Sequence, residues 1–189
     1  MLGRPAMRRT WSFIGWPLVL AVLLGGPCGG LAPCRAQDSE PVDATLDSMR
    51  GGTRTLSAER GSRVVVLFYE DRPFVEANDA LKGEVGRFIT DNHLESRLVS
   101  YGVANLADVG MVPDALVREM IRPLLDRWGA DILLDWDGVM RRPPFSFQTM
   151  ATNVAIIDRT GRIVWRYTGA VEGENRTAFF RALRRALAP

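Results

Sequence analysis

The six residues Val64-Val65-Val66-Leu67-Phe68-Tyr69 form an unbroken β-branched and aromatic run. A strand with one wet face alternates apolar and polar residues, so a run without alternation needs cover on both faces. Such a strand suits a layered α/β fold, and the order of the remaining elements specifies it. The remaining pattern agrees. Arg54 to Ser62 reads as a short strand or turn leading in. Pro73 opens a helical stretch with apolar residues at Phe74, Val75, Leu81, Val85, Phe88 and Ile89, closing at Asn92-His93. A proline in a first turn has no intrahelical N–H bond to lose. A second strand falls within 97–106. Pro113-Asp114 start a further helix with Leu116, Val117, Met120, Ile121, Leu124, Leu125 and Trp128 at helical spacing, in which Pro123 predicts a kink or break. Ile132-Leu133-Leu134 is a third strand. Residues 153–157 and 163–167 are strands joined by the turn Asp158-Arg159-Thr160-Gly161, hence an antiparallel hairpin. Asn175, read as a helix cap, begins an amphipathic helix to Leu187 with Phe179, Phe180, Leu183 and Leu187 inward. The expected fold is an α/β sandwich with a mixed sheet, a C-terminal β-hairpin and a closing helix.

The N-terminus has the form of an export signal. Arg4, Arg8 and Arg9 precede an apolar stretch from Phe13 to Leu24, and glycines and prolines follow. This pattern predicts a Sec-type signal peptide over 1–36 with cleavage after Ala36 and a periplasmic or secreted product. The alternative is an uncleaved membrane anchor, although a span needs about 20 apolar residues. Residues 37–52 read as a linker and 53–189 as one domain. Cleavage removes four arginines and no acidic residue, leaving 20 basic against 22 acidic residues and a formal charge of −2. The interspersed charges give no reason to expect a nucleic-acid partner, and a membrane would be met only through the signal. Lys82 is the only lysine, an arginine bias read as genome composition.

Three segments resemble exported thioredoxin-like and peroxiredoxin-like proteins. They are Leu56 to Ser62 followed by Val64 to Tyr69, the strand exit Leu133-Leu134-Asp135-Trp136-Asp137-Gly138, and the terminal hairpin from Asn153 to Gly169. The resemblance covers about residues 54–188, and the long middle helix at 112–128 together with the missing cysteines looks closest to the YtfJ-like periplasmic proteins. It implies a thioredoxin-like sandwich. It also implies that a redox member would carry Cys-x-x-Cys near Pro73-Phe74-Val75-Glu76, with a cis-proline near Thr152. Here Glu70, Asp71 and Arg72 stand before that segment, and both cysteines, Cys28 and Cys34, lie within the predicted signal. Disulfide exchange requires a thiolate nucleophile, so the expected product is redox-inactive.

Glu70, Asp71, Arg72, Pro73, Glu76 and Thr152 are therefore degenerate redox-site positions, with no catalytic residue assigned. Glu70 and Asp71 stand at the carboxyl end of a strand, where α/β folds bind ligands; the competing reading is that they cap a helix N-terminus. Arg141-Arg142-Pro143-Pro144-Phe145-Ser146-Phe147 reads as an insertion-like loop whose Arg141, Arg142, Phe145 and Phe147 would contact a partner, or whose phenylalanines fold back on the core. His93 alone cannot build a metal site, and Asp135-Trp136-Asp137-Gly138 lacks the glutamate of a calcium loop. No metal and no cofactor is expected. Three functions compete: a binding or accessory module for an envelope protein or small ligand, an enzyme using non-thiol chemistry at Glu70-Asp71-Arg72, and a thiol oxidoreductase assisted by a partner's cysteines.

Overall fold

The computed structural model describes residues 40–188; the predicted signal lies outside the described residues. Seven strands, β1 (Thr45–Ser48), β2 (Thr53–Thr55), β3 (Val64–Glu70), β4 (Leu98–Asn105), β5 (Asp131–Asp135), β6 (Thr152–Ile157) and β7 (Ile163–Thr168), form one sheet in the order β2-β1-β5-β4-β3-β6-β7. β3, β4 and β5 run parallel, and the flanking pairs are antiparallel. Three α-helices, α1 (Asp79–Asp91), α2 (Asp114–Trp128) and α3 (Gly173–Leu187), lie among the described residues. The sheet is mixed, as its sequence pattern predicts.

All seven residues of β3 are buried, because the strand is covered on both sides. Val64, Val66 and Phe68 meet Leu81 and Val85 of α1 and Phe179 and Leu183 of α3. Phe68, Gly102 and Ile132 are cross-strand partners, so they share a face, and α2 covers its β5 end through Val117 and Ile121. All three helices thus lie on one side. The opposite face, with Val65, Leu67, Tyr69 and Val103, carries no α-helix among the described residues. It is covered by Val42, Ala44 and Leu46, by Leu56, and by Met140, Phe145 and Phe147.

Several expectations need correction. Residues 37–52 do not behave as a linker throughout: Thr45–Ser48 form an interior strand paired to β2 and β5, with Leu46 and Ser48 buried. Four residues are too short for a periodic signal, and only pairing with β5 makes them a strand. The first long helix begins at Asp79, since 72–74 form a single 3₁₀ turn and Asn78 leaves helical dihedrals. Asn78 is held out of the helix by its side chain, which bonds Thr152 and the Val171 N–H. Pro123 neither breaks nor ends α2, because Val117 and Ile121 before it and Leu124 and Trp128 after it are anchored in the same cluster. Asn175 is inside α3, whose cap position is Glu172.

Phe145 and Phe147 are also corrected. They are 1% and 5% exposed and pack on Tyr69, with ring centroids of Tyr69 and Phe147 5.2 Å apart. They fill the sheet face that lacks a helix, which excludes them from a partner surface.

Candidate functional site

β3 ends at Glu70 and β6 begins at Thr152, and these residues are register partners on adjacent strands. Two of the six degenerate redox-site positions therefore meet directly. Thr152 Oγ1 donates to Glu70 Oε1 at 3.1 Å, and Lys82 Nζ donates to Glu70 Oε2 at 2.8 Å. Lys82 reaches this point from the first turns of α1. It also donates to the Val75 carbonyl at 2.5 Å and approaches Asp79 Oδ1 at 3.5 Å. Its ammonium stands 3.5 Å from the Trp128 ring centroid, a cation–π contact from the last residue of α2. Gly102 makes this seat possible, since a Cβ there would lie 3.3 Å from the Trp128 ring. Asn78 closes the network by donating to Thr152 Oγ1 at 2.9 Å and to the Gly169 carbonyl at 3.3 Å.

Glu70 and Lys82 are 3% and 6% exposed at the side chain. Burial pushes the Glu70 carboxyl up to about 7, against the pull of Lys82 and its hydrogen bonds. Burial likewise pushes the Lys82 ammonium down, against the field of Glu70. Desolvation opposes both charges, and the contact between them is what keeps them compatible with burial.

Beside Glu70 opens a cleft of about 510 Å³ between the carboxyl ends of β3 and β4 and the inner side of α2. Its walls are apolar, among them Val103, Leu106, Val117, Ile121, Leu124 and Trp128; Glu70, Arg72 and Asn105 supply polar groups. A largely apolar cleft with a few convergent polar groups at strand ends has the form of a ligand site.

The other predicted residues divide around this site. Asp71 is buried and holds the loop before β6 in place, accepting from Asn105 Nδ2 at 2.5 Å and from the Met150 N–H. Neither Glu70 nor Asp71 caps α1, which starts at Asp79. Arg72 lines the cleft, whereas Pro73 is exposed beside it and Glu76 is exposed and paired with Arg127 at 3.2 Å. Arg141 and Arg142 lie apart from the cleft, bonded to Asp108 and to the Asp137 carbonyl. His93 is exposed past the end of α1 with φ 53°. The buried Asp135 carboxylate accepts from the Val139 and Met140 N–H groups, so the Asp-Trp-Asp-Gly segment is a turn. Among the described residues no acidic, His or Cys cluster could hold a metal.

Lys82, Asn78 and Trp128 were not singled out from sequence as site residues. One signal did exist: in a chain with 24 basic residues, Lys82 alone is lysine. An ammonium is a compact point charge that fits where a planar guanidinium does not.

Comparison with known protein families matched none, and comparison with curated proteins matched none. Solved structures do match. The chain is similar to a putative thiol:disulfide interchange protein DsbE from Chlorobium tepidum, with 19% identity, a TM-score of 0.58, and coverage of 79% of this chain and 96% of that one. It is similar to the exposed lipoprotein thioredoxin Etrx1 of Streptococcus pneumoniae, with 19% identity and a TM-score of 0.56 over 76% and 99%. A DsbF homologue from Corynebacterium diphtheriae matches with 8% identity and a TM-score of 0.60 over 85% and 96%. The fold is thioredoxin-like. Between residues 40 and 188 it contains no cysteine.

Proposed function

We propose that the chain is an exported, redox-inactive thioredoxin-fold protein that acts as a binding or accessory module in the cell envelope. One observation carries this reading. Next to the segment where the resemblance would put a thiol pair, Glu70 accepts from both Thr152 and Lys82 in a sulfur-free buried network beside an apolar cleft. Thiol–disulfide exchange has no nucleophile there. The Sec-type leader supports an envelope location, and so does the likeness to an exposed lipoprotein thioredoxin. The long helix α2 and the lack of cysteine support a place near the YtfJ-like periplasmic proteins. The ligand or envelope partner engages the cleft; Arg141 and Arg142 are the candidate contacts outside it, where a partner would compete with Asp108 and the Asp137 carbonyl.

Two measurements test this. The chain recovered from cell envelopes should have the mass expected for cleavage after Ala36, and it should leave insulin disulfides and hydroperoxides at the background rate of reduction. Turnover above background by the cleaved form would overturn the reading.

The non-thiol enzyme retains one supporting observation, the carboxyl of Glu70 raised to about 7 beside a cleft. Acid–base work requires one Glu70 oxygen to leave Lys82 or Thr152 and reach a substrate. A hydrolytic or isomerase activity abolished by Glu70→Gln would favour it over the binding module.

A further inference from the structure

The cleft under α2 combines an apolar wall with a single cationic side chain among its lining residues, and that cation has no partner among the described residues. Arg72 is exposed, lines the cleft, and makes no hydrogen bond or ion pair with any described residue. The other cations at this end are engaged: Arg127 with Glu76 and Asp79, Arg141 with Asp108, and Lys82 with Glu70. The nearest carboxylates do not turn to Arg72. Asp71 accepts from Asn105 and the Met150 N–H, and Glu70 from Lys82 and Thr152. We propose that the cleft binds a small monocarboxylate with an apolar tail, such as a medium-chain alkanoate, its tail along the inner side of α2 and its carboxylate on Arg72.

Each part of the ligand answers a feature of the site. The tail takes the place of water against Val117, Ile121, Leu124 and Trp128. The carboxylate supplies the two acceptors that a guanidinium fork engages side by side. The negative charge of Glu70 does not oppose it, since Lys82 neutralises that group 2.8 Å away. A volume near 510 Å³ suits a small molecule. The inference rests on the binding-module reading and specifies what that module holds.

The test titrates the full chain, as recovered from expressing cells, with the neutral fluorophore N-phenylnaphthylamine, followed by displacement. Decanoate should displace it about tenfold more tightly than decanol. Lengthening from octanoate to dodecanoate should tighten binding by about fourfold per methylene until the cleft is full. Arg72→Gln should erase the advantage of decanoate while leaving decanol and the fluorophore unchanged. Val109→Trp, which fills the cleft from its rim, should abolish all three. Equal displacement by decanoate and decanol would overturn the carboxylate assignment while leaving a binding cleft in place. Displacement by an apolar C-terminal peptide but not by decanoate would overturn it in favour of a protein partner. No fluorophore binding at all, or unchanged binding in Val109→Trp, would remove the cleft as the binding site.

Discussion

At the residue scale the molecule turns on a buried ion pair at the end of β3. Lys82 stands on the Trp128 ring and on Glu70, so the only lysine of the chain is nearly buried. Such pairs rarely add net stability, because both ions must be dehydrated, yet removing one partner strands the other. The pH response follows from the Glu70 carboxyl. Its ordinary value is 4.5, and burial raises it to about 7 in the fold. Between those values the folded chain holds a proton that the unfolded chain has released, so stability falls as pH rises through this window. The full swing is about 3 kcal/mol at most, at about 1.4 kcal/mol per unit. Urea titrations from pH 4.5 to 7 should show this decline, and Glu70→Gln should flatten it. Lys82→Met removes the group that holds the carboxyl down. Its penalty should therefore grow with pH, reaching about 3–5 kcal/mol at alkaline pH where Glu70 is charged and alone. A penalty independent of pH would show that Glu70 is not the group responsible.

Among the elements, the segment from Val139 to Met150 shows how burial decides between two sequence readings. Its prolines, arginines and phenylalanines suit either a partner contact or a loop folded back on the core, and the burial of Phe145 and Phe147 selects the second for them. The segment is tied down at several points. Asp135 accepts from the Val139 and Met140 N–H groups, and Phe147 N–H donates to the Met140 carbonyl at 3.0 Å. Phe145→Ala should then cost about 3–5 kcal/mol in a denaturant titration, the usual range for emptying a buried aromatic site. Arg141→Ala, whose Asp108 partner is 74% exposed, should leave the midpoint unchanged, as surface ion pairs contribute little. An unchanged midpoint for Phe145→Ala would return the loop to the surface. α2 teaches the same lesson in reverse. A proline inside a helix removes one backbone bond, but continuity depends on whether the turns on either side are anchored, and here they are.

At the scale of the whole molecule, the order β2-β1-β5-β4-β3-β6-β7 places the N-terminal strands against β5. They protect one side of the parallel core, and Val42, Ala44 and Leu46 cover the helix-free face. A chain beginning at residue 53 would expose the edge of β5 together with that face. Unpaired strand edges and bare apolar surface favour association. Such a truncation should elute as aggregate in size-exclusion chromatography, or unfold at a lower urea concentration than the full-length form. A monomer of undiminished stability would show residues 40–52 to be dispensable.

The run from Val64 to Tyr69, the turn at Asp158 to Gly161 and the apolar spacing of α2 and α3 made the layered α/β fold and its hairpin legible without coordinates. Each is a local pattern: strand and helix periods and turn residues are written within about a dozen neighbouring positions. The absence of cysteine after Cys34 was legible directly, whereas the positions at which a thiol site would lie came only from the resemblance to thioredoxin-like proteins. The partner of Glu70 was not legible, since Lys82 is 12 residues and Thr152 82 residues away along the chain. β1, the covering role of Phe145 and Phe147, and the cleft beside Arg72 likewise exist only after distant segments pack. Local sequence specifies which way a backbone prefers to bend, whereas pairing, burial and the electrostatics that follow depend on what the folded chain brings alongside.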